Sequence, residues 1–146
     1  MKTAFLITAR LKSTRLPKKI LLEVAGKPLI VHMLDRIKNA TSIDKIIICT
    51  STNPQDDPLE EIAGQEQVSC FRGSEEDVLV RLLEAAQSHG LKYFANITAD
   101  CPMMDPLLID RAVLEYQKAD VDLLKYDDSN ADLPFDCYLI KVSALE

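Results

Sequence analysis

Tryptophan is absent from this chain, and glycine (four residues) and histidine (two) are scarce among its 146 residues. Gly26, Gly64, Gly73 and Gly90 lie far apart, so the closely spaced glycines of a Walker phosphate loop or a dinucleotide fingerprint are missing. Cys49, Cys70, Cys101 and Cys137 show no CxxC spacing, and only His32 and His89 offer imidazole ligands, which argues against a zinc site. Cys49 and Cys70 sit inside apolar runs, where cysteine behaves as a small buried hydrophobe. No window approaches the ~18 apolar residues of a membrane span, and the opening Ala4-Phe5-Leu6-Ile7 run is too short for a signal core. The expectation is a soluble, cytoplasmic protein with reduced thiols and no membrane partner. The 17 basic and 23 acidic residues leave a net charge of −6, which opposes nonspecific attraction to nucleic acid. A local cluster of cations can still hold a small anion, whatever the global sign.

With 47% hydrophobic side chains, 146 residues support one ordinary core, and a single domain over 1–146 is expected. Apolar runs rich in β-branched residues at Ala4–Thr8, Lys45–Thr50, Val68–Phe71, Tyr93–Thr98 and Val121–Lys125 read as strands, with Phe135–Val142 as one more candidate. Between them, apolar residues spaced by three or four mark helices: Ile30, Met33, Leu34, Ile37; then Val78, Leu79, Leu82, Leu83, Ala86; then Leu107, Leu108, Ala112, Val113, Tyr116. Ser74 with Asp77 resembles an N-capping arrangement, Gly90 follows the last turn of that helix, and Pro106 fits a first helical position after Asp105. Strands apolar on both faces, alternating with helices, predict a mostly parallel sheet covered on both sides, a three-layer α/β/α sandwich. Ser143-Ala144-Leu145-Glu146 reads as the start of another helix, so a longer natural protein is expected.

In open parallel sheets ligands bind outside the carboxyl ends of strands. The loop after the first strand reads Thr8-Ala9-Arg10-Leu11-Lys12-Ser13-Thr14-Arg15-Leu16-Pro17-Lys18-Lys19: five cations, two hydroxyls beyond Thr8 and no acid. It is either a solvated surface loop or a concentrated anion site. The loop after the fourth strand, Ile97-Thr98-Ala99-Asp100-Cys101-Pro102, places a carboxylate directly after an apolar run. Asp100 there either caps a turn or ligates a hard cation, which takes one or two carboxylates plus phosphate oxygens. The two loops together suit a metal-bound polyphosphate. Ala25-Gly26-Lys27-Pro28 reads as a turn into the first helix, His32 and His89 as structural or surface residues, and Asp120-Val121-Asp122 as a chance pattern.

The segment from Ala9 to Leu21, followed by Ala25-Gly26-Lys27-Pro28-Leu29, resembles the opening signature of the sugar-acid cytidylyltransferases. Phe71-Arg72-Gly73-Ser74-Glu75-Glu76-Asp77-Val78-Leu79 and Ile97-Thr98-Ala99-Asp100-Cys101-Pro102 resemble the branch typified by spore-coat polysaccharide biosynthesis proteins. The resemblance implies a Rossmann-like nucleotide-diphospho-sugar transferase fold. It also implies transfer of CMP from CTP to a sugar or sugar acid, with Mg²⁺ as cofactor and pyrophosphate as product. It further implies that Arg10, Arg15 and Lys19 act on the triphosphate, and that Ala9, Ser13, Ser74 and Thr98 join Arg10 and Lys19 around the nucleotide. Asp100 and Asp136 would hold the metal. Sugar recognition and the contacts of a homodimer would come largely from residues beyond 146. Two departures stand out: Tyr138 replaces an acid near Asp136, and Lys18 stands where the family usually has glycine, the residue that adopts positive φ most easily. Rival expectations are another nucleotidyltransferase, a glycosyltransferase using a ready-made nucleotide sugar, and a nucleotide-binding domain of weakened activity.

Overall fold

A computed structural model describes residues 3–13, 15–127 and 136–146. In chain order the elements are β1 (Ala4–Thr8), β2 (Glu23–Val24), β3 (Lys27–Pro28), α1 (Leu29–Ile37), β4 (Lys45–Ser51), α2 (Asp57–Gln65), β5 (Ser69–Gly73), α3 (Val78–Ser88), β6 (Tyr93–Thr98), α4 (Pro106–Lys118), β7 (Leu123–Asp127) and β8 (Asp136–Lys141). Six strands form one sheet in the order β5-β4-β1-β6-β8-β7, and β2 and β3 make a separate small hairpin. β5, β4, β1 and β6 run parallel, whereas β8 is antiparallel to both β6 and β7.

The central strand explains the layers. Ala4, Phe5, Leu6 and Ile7 of β1 are all fully buried, because each face of the sheet carries helices. Phe5 and Ile7 pack into a cluster with Leu34 and Ile37 of α1, Leu59 of α2 and Ile109 and Val113 of α4. Ala4 and Leu6 point the other way, with Ile47 and Phe94, onto Leu82, Ala85 and Ala86 of α3. Truncating a fully buried member such as Leu34 to alanine is expected to cost about 2–5 kcal/mol. The expected three-layer α/β/α sandwich with a mostly parallel sheet is what the chain adopts.

Differences from the sequence reading have local causes. The N-cap of α3 is Asp77, which accepts from Val80 N–H at 3.0 Å, while the Ser74 hydroxyl accepts from Asp77 N–H at 3.0 Å, one step upstream. Helix α2 was not anticipated, since Pro58 and Gly64 lower its helical signal and only Leu59 and Ala63 are buried. β7 starts at Leu123, with Val121 left exposed before it. His32 Nε2 is 2.6 Å from the Val24 carbonyl and His89 Nδ1 is 3.2 Å from Lys45 Nζ, positions that tie surface loops together. Burial pushes the Cys49 thiol up to about 12 and the Cys70 thiol up to about 11, so both stay protonated.

Candidate functional site

The chain leaves β1 towards β4 and β5, then crosses back to β6 on the other side of β1. The carboxyl ends of β1 and β6 therefore form a topological switch point, where the outgoing loops part and leave a crevice. Thr8 and Thr98 lie opposite each other there, and the next residues stay tied to the sheet: Ala99 N–H donates to the Thr8 carbonyl at 2.9 Å and Ala9 N–H to the Cys49 carbonyl at 3.1 Å. Ala9 and Ala99 are buried, and their small side chains let the backbone form the crevice floor.

The cation loop is pinned at its root. Leu11 is buried, and its N–H donates to Asp56 Oδ1 at 2.8 Å; the Ser51 hydroxyl donates to Asp56 Oδ2 at 2.5 Å. Asp56 is fully buried and thus converts a surface loop into a fixed one. Further along, the Ser13 hydroxyl accepts from Leu16 N–H at 3.2 Å, and Lys18 N–H donates to the Leu11 carbonyl at 3.3 Å. Lys18 itself takes φ 55, ψ 27, the left-handed conformation. The turn expected of a glycine is thus made by a lysine, at a cost on the order of 1 kcal/mol. It delivers Lys19 into a short 3-10 turn, Lys19–Leu21, anchored by buried Ile20.

Lys19 Nζ lies 2.5 Å from Asp100 Oδ2, across the crevice from β1 to β6. The Thr98 hydroxyl donates to Asp100 Oδ1 at 2.6 Å. The Lys19 hydrogen bond, then that from Thr98, holds the Asp100 carboxyl below the usual carboxylate range against a partial desolvation that pushes it up. Arg10 belongs to the other wall. Its Nη1 donates to the Glu75 carbonyl at 2.6 Å and its Nη2 to Glu75 Oε1 at 3.0 Å; Lys12 Nζ is 3.8 Å from the same carboxylate oxygen, and Asn53 donates to Glu75 Oε2 at 3.2 Å. Ser74 sits in that wall, its carbonyl accepting from Arg81 Nη1 at 2.6 Å. Arg15 is exposed at the loop tip.

The structure thus gathers Lys19, Thr98 and Asp100 on the β6 side, and Arg10, Lys12 and Ser74 on the β5 side. Two acids that hold the cation loop on the β5 side, Asp56 and Glu75, were given no role by sequence reasoning. Asp56 lies in the polar Asn53-Pro54-Gln55-Asp56-Asp57-Pro58 run, which reads as a plain turn. Glu75 lies inside a quoted motif, but its pairing with Arg10 spans 65 residues. Lys27 is paired with Asp35 at 2.6 Å and Asp122 with Lys141 at 3.0 Å, which accounts for both without a ligand. The Asp136 side chain, like Thr14, Pro134 and Phe135, lies outside the described residues.

Among the described residues no cluster of three or more metal-ligating side chains occurs. The fit to Mg²⁺ is nonetheless good in kind. Asp100 offers an ionised, half-exposed carboxylate facing Lys19, and Mg²⁺ is commonly held by one or two carboxylates together with substrate phosphates and water, not by an all-protein cage.

A parallel sheet whose switch point sets a cation loop against a strand-end aspartate defines a nucleotide-binding α/β protein of the nucleotidyltransferase kind. The model of the cytidylyltransferase family matches residues 4–138, and the chain belongs to that family. It is similar to the spore coat polysaccharide biosynthesis protein SpsF of Bacillus subtilis, at 34% identity over 110 residues that cover 73% of this chain and 46% of SpsF. It is similar to the 3-deoxy-manno-octulosonate cytidylyltransferase of Brucella suis, at 36% identity over 129 residues, 84% of this chain and 49% of that enzyme. A solved cytidylyltransferase structure from Leptospira borgpetersenii superposes with a TM-score of 0.89 at 32% identity, over 99% of this chain and 62% of that one. The chain spans about half the length of the curated relatives it matches.

Proposed function

We propose that this chain is the nucleotide-binding part of a cytidylyltransferase that moves CMP from CTP to a hydroxyl of a sugar or sugar acid, for surface polysaccharide synthesis in the cytoplasm. The observation that supports this reading is the Lys19–Asp100 contact across the switch point, a cation of the kind that holds phosphate beside a carboxylate of the kind that holds a metal. In the reaction the sugar oxygen attacks the α-phosphorus, the bond from that phosphorus to the bridging oxygen breaks, pyrophosphate leaves, and the hydroxyl proton passes to solvent. Negative charge builds on the equatorial and leaving oxygens. Lys19, with Arg15 from the loop tip and Arg10 after exchange of its Glu75 contacts, supplies the compensating charge. Thr98 and the buried Asp56 keep Asp100 and the loop root in place. Bound through Asp100, Mg²⁺ would neutralise phosphate charge and polarise the α-phosphoryl oxygen; Asp136 is the second candidate ligand. A homodimer is the proposed working assembly.

Incubating the protein with CTP, Mg²⁺ and a panel of sugar acids and reading pyrophosphate release tests the proposal. Release that depends on CTP and one sugar supports it. Release with UTP instead would redirect it to another nucleotidyltransferase, sugar transfer from a nucleotide sugar to a glycosyltransferase, and nucleotide binding without any release to a domain of weakened activity.

A further inference from the structure

Arg81, in the first turns of α3, is completely buried, and among the described residues one of its three guanidinium nitrogens does all the hydrogen bonding: Nη1 donates to the Ser74 carbonyl at 2.6 Å. Nε and Nη2 are buried with no acceptor among the described residues. Burial, then the neighbouring charge of Arg10, pushes the pKa of this guanidinium down. A methionine or leucine would fill the same volume without stranding donors, so hydrophobic packing does not account for the residue.

Its surroundings show what it holds. Arg10, from the loop after β1, reaches the next carbonyl, that of Glu75. In the ligand-free chain two consecutive peptide units are therefore gripped by two arginines from different elements, and the Arg81 contact is the one that stays when Arg10 turns to phosphate. The residue before them, Gly73, lies directly on the Arg81 stem: a Cβ there would meet Phe71 Cε1 at 2.8 Å and Arg81 Cγ at 3.2 Å. The turn is thus packed on the Arg81 stem and hydrogen-bonded to its guanidinium.

This inference rests on the nucleotide reading of the site. With the triphosphate against Lys19 and Asp100 on the β6 side, the nucleoside end points to the β5 side, where the Ser74–Glu75 turn forms the wall. Cytosine and uracil differ in the sense of two groups on one edge: an amino donor and a ring acceptor in the first, a carbonyl acceptor and a ring N–H in the second. A main-chain edge free to reorient would accommodate either; a fixed one discriminates. We propose that Arg81 is a positioning residue for base selection, holding the Ser74 carbonyl so that the Ser74–Glu75 turn presents one fixed hydrogen-bonding edge to a pyrimidine base.

The test is equilibrium binding of CTP, UTP and inorganic pyrophosphate, each with Mg²⁺, to the wild-type protein, Arg81→Met and Arg81→Lys, with thermal melts alongside. Wild type is expected to favour CTP over UTP. Arg81→Met is expected to lose roughly tenfold of that preference while holding pyrophosphate as wild type does, since one well-placed hydrogen bond is worth about that factor. Arg81→Lys, which keeps the charge but not the planar fork, should fall between the two. If Arg81→Met does not fold, Arg81→Lys decides alone: a CTP-to-UTP ratio equal to that of wild type overturns the proposal. A purely structural Arg81 would lower the melting temperature and weaken all three ligands in proportion, which also overturns it. Wild-type protein that binds CTP and UTP equally refutes base selection and leaves the phosphate site standing. Wild-type protein that binds none of the three refutes the nucleotide reading itself.

Discussion

The two ends of the sheet are built on different terms. At the carboxyl end of β1 and β6, charged side chains from distant segments converge: Lys19 on Asp100, Arg10 on Glu75, Leu11 N–H on buried Asp56. At the amino end of β6 a cavity of about 780 Å³ opens beside Leu91, Tyr93, Tyr116, Val121 and Val142. There the Tyr93 hydroxyl is 2.6 Å from the Thr3 hydroxyl and accepts from Gln117 Nε2 at 2.9 Å, the Tyr93 and Tyr116 rings pack with centroids 5.0 Å apart, and Lys141 pairs with Asp122 at 3.0 Å. Convergent charge at the switch point is what marks the candidate site.

The largest effect that would break this contrast is expected at Asp56. Asp56→Ala strands the Leu11 N–H and the Ser51 hydroxyl in the core and should cost roughly 3–5 kcal/mol, as expected for two lost bonds to a buried carboxylate. CTP affinity should fall with it, because the loop root is released; an unchanged melting temperature in a denaturation scan would remove Asp56 from that role. Next comes Lys19→Ala, which should weaken Mg²⁺-dependent CTP binding about 10- to 150-fold, the worth of about 1.5–3 kcal/mol for a charge-assisted contact. Calorimetry showing wild-type affinity would mean that the cation loop is solvated surface.

At the amino end, Tyr93→Phe removes the hydroxyl shared by Thr3 and Gln117 and should cost about 1 kcal/mol of stability while leaving CTP binding alone. A change in nucleotide affinity there would sharpen attention on the cavity and undo the division between the two ends. The smallest effect is expected from Lys18→Gly. Relief of the left-handed strain, partly offset by the greater entropy of glycine in the unfolded chain, should raise stability by up to about 1 kcal/mol. A lower melting temperature would show that the Lys18 side chain does more than bear the turn.

Much of this architecture is readable along the chain because it is local. β1 and β6 coincide with their apolar runs, since a strand buried on both faces is a short block of apolar and β-branched residues with sharp polar ends. The cation loop and Asp100 are visible as departures from a chain of net acidic charge. What escaped reading is long-range. That β8 inserts antiparallel between β6 and β7 is set by pairing between segments over 40 residues apart, such as Tyr93 with Lys141, and no local pattern encodes such a register. Helix α2 was hidden by Pro58, Gly64 and a one-residue-wide apolar stripe. Asp56 and Arg81 carry charges that sequence patterning assigns to the surface, and only their partners, Leu11 and Ser51 for one and Ser74 for the other, explain why they are inside.

Asp100, facing the cation loop, is proposed to hold a metal against a triphosphate. Measuring CTP binding against Mg²⁺ concentration, for the wild-type protein and Asp100→Asn side by side, tests it directly. The amide keeps the size of the side chain and one acceptor for Thr98, so folding should be little changed, within the ~1 kcal/mol expected of a weakened turn contact. Without Mg²⁺ the variant should bind CTP at least as well as wild type, because Lys19 is released from its 2.5 Å partner. Half-maximal binding of the variant is expected to need roughly tenfold more Mg²⁺, or higher still, the loss expected when a charge-assisted ligand becomes neutral. An unchanged magnesium midpoint, with or without a loss of stability, would contradict it and leave Asp100 as the cap of a turn.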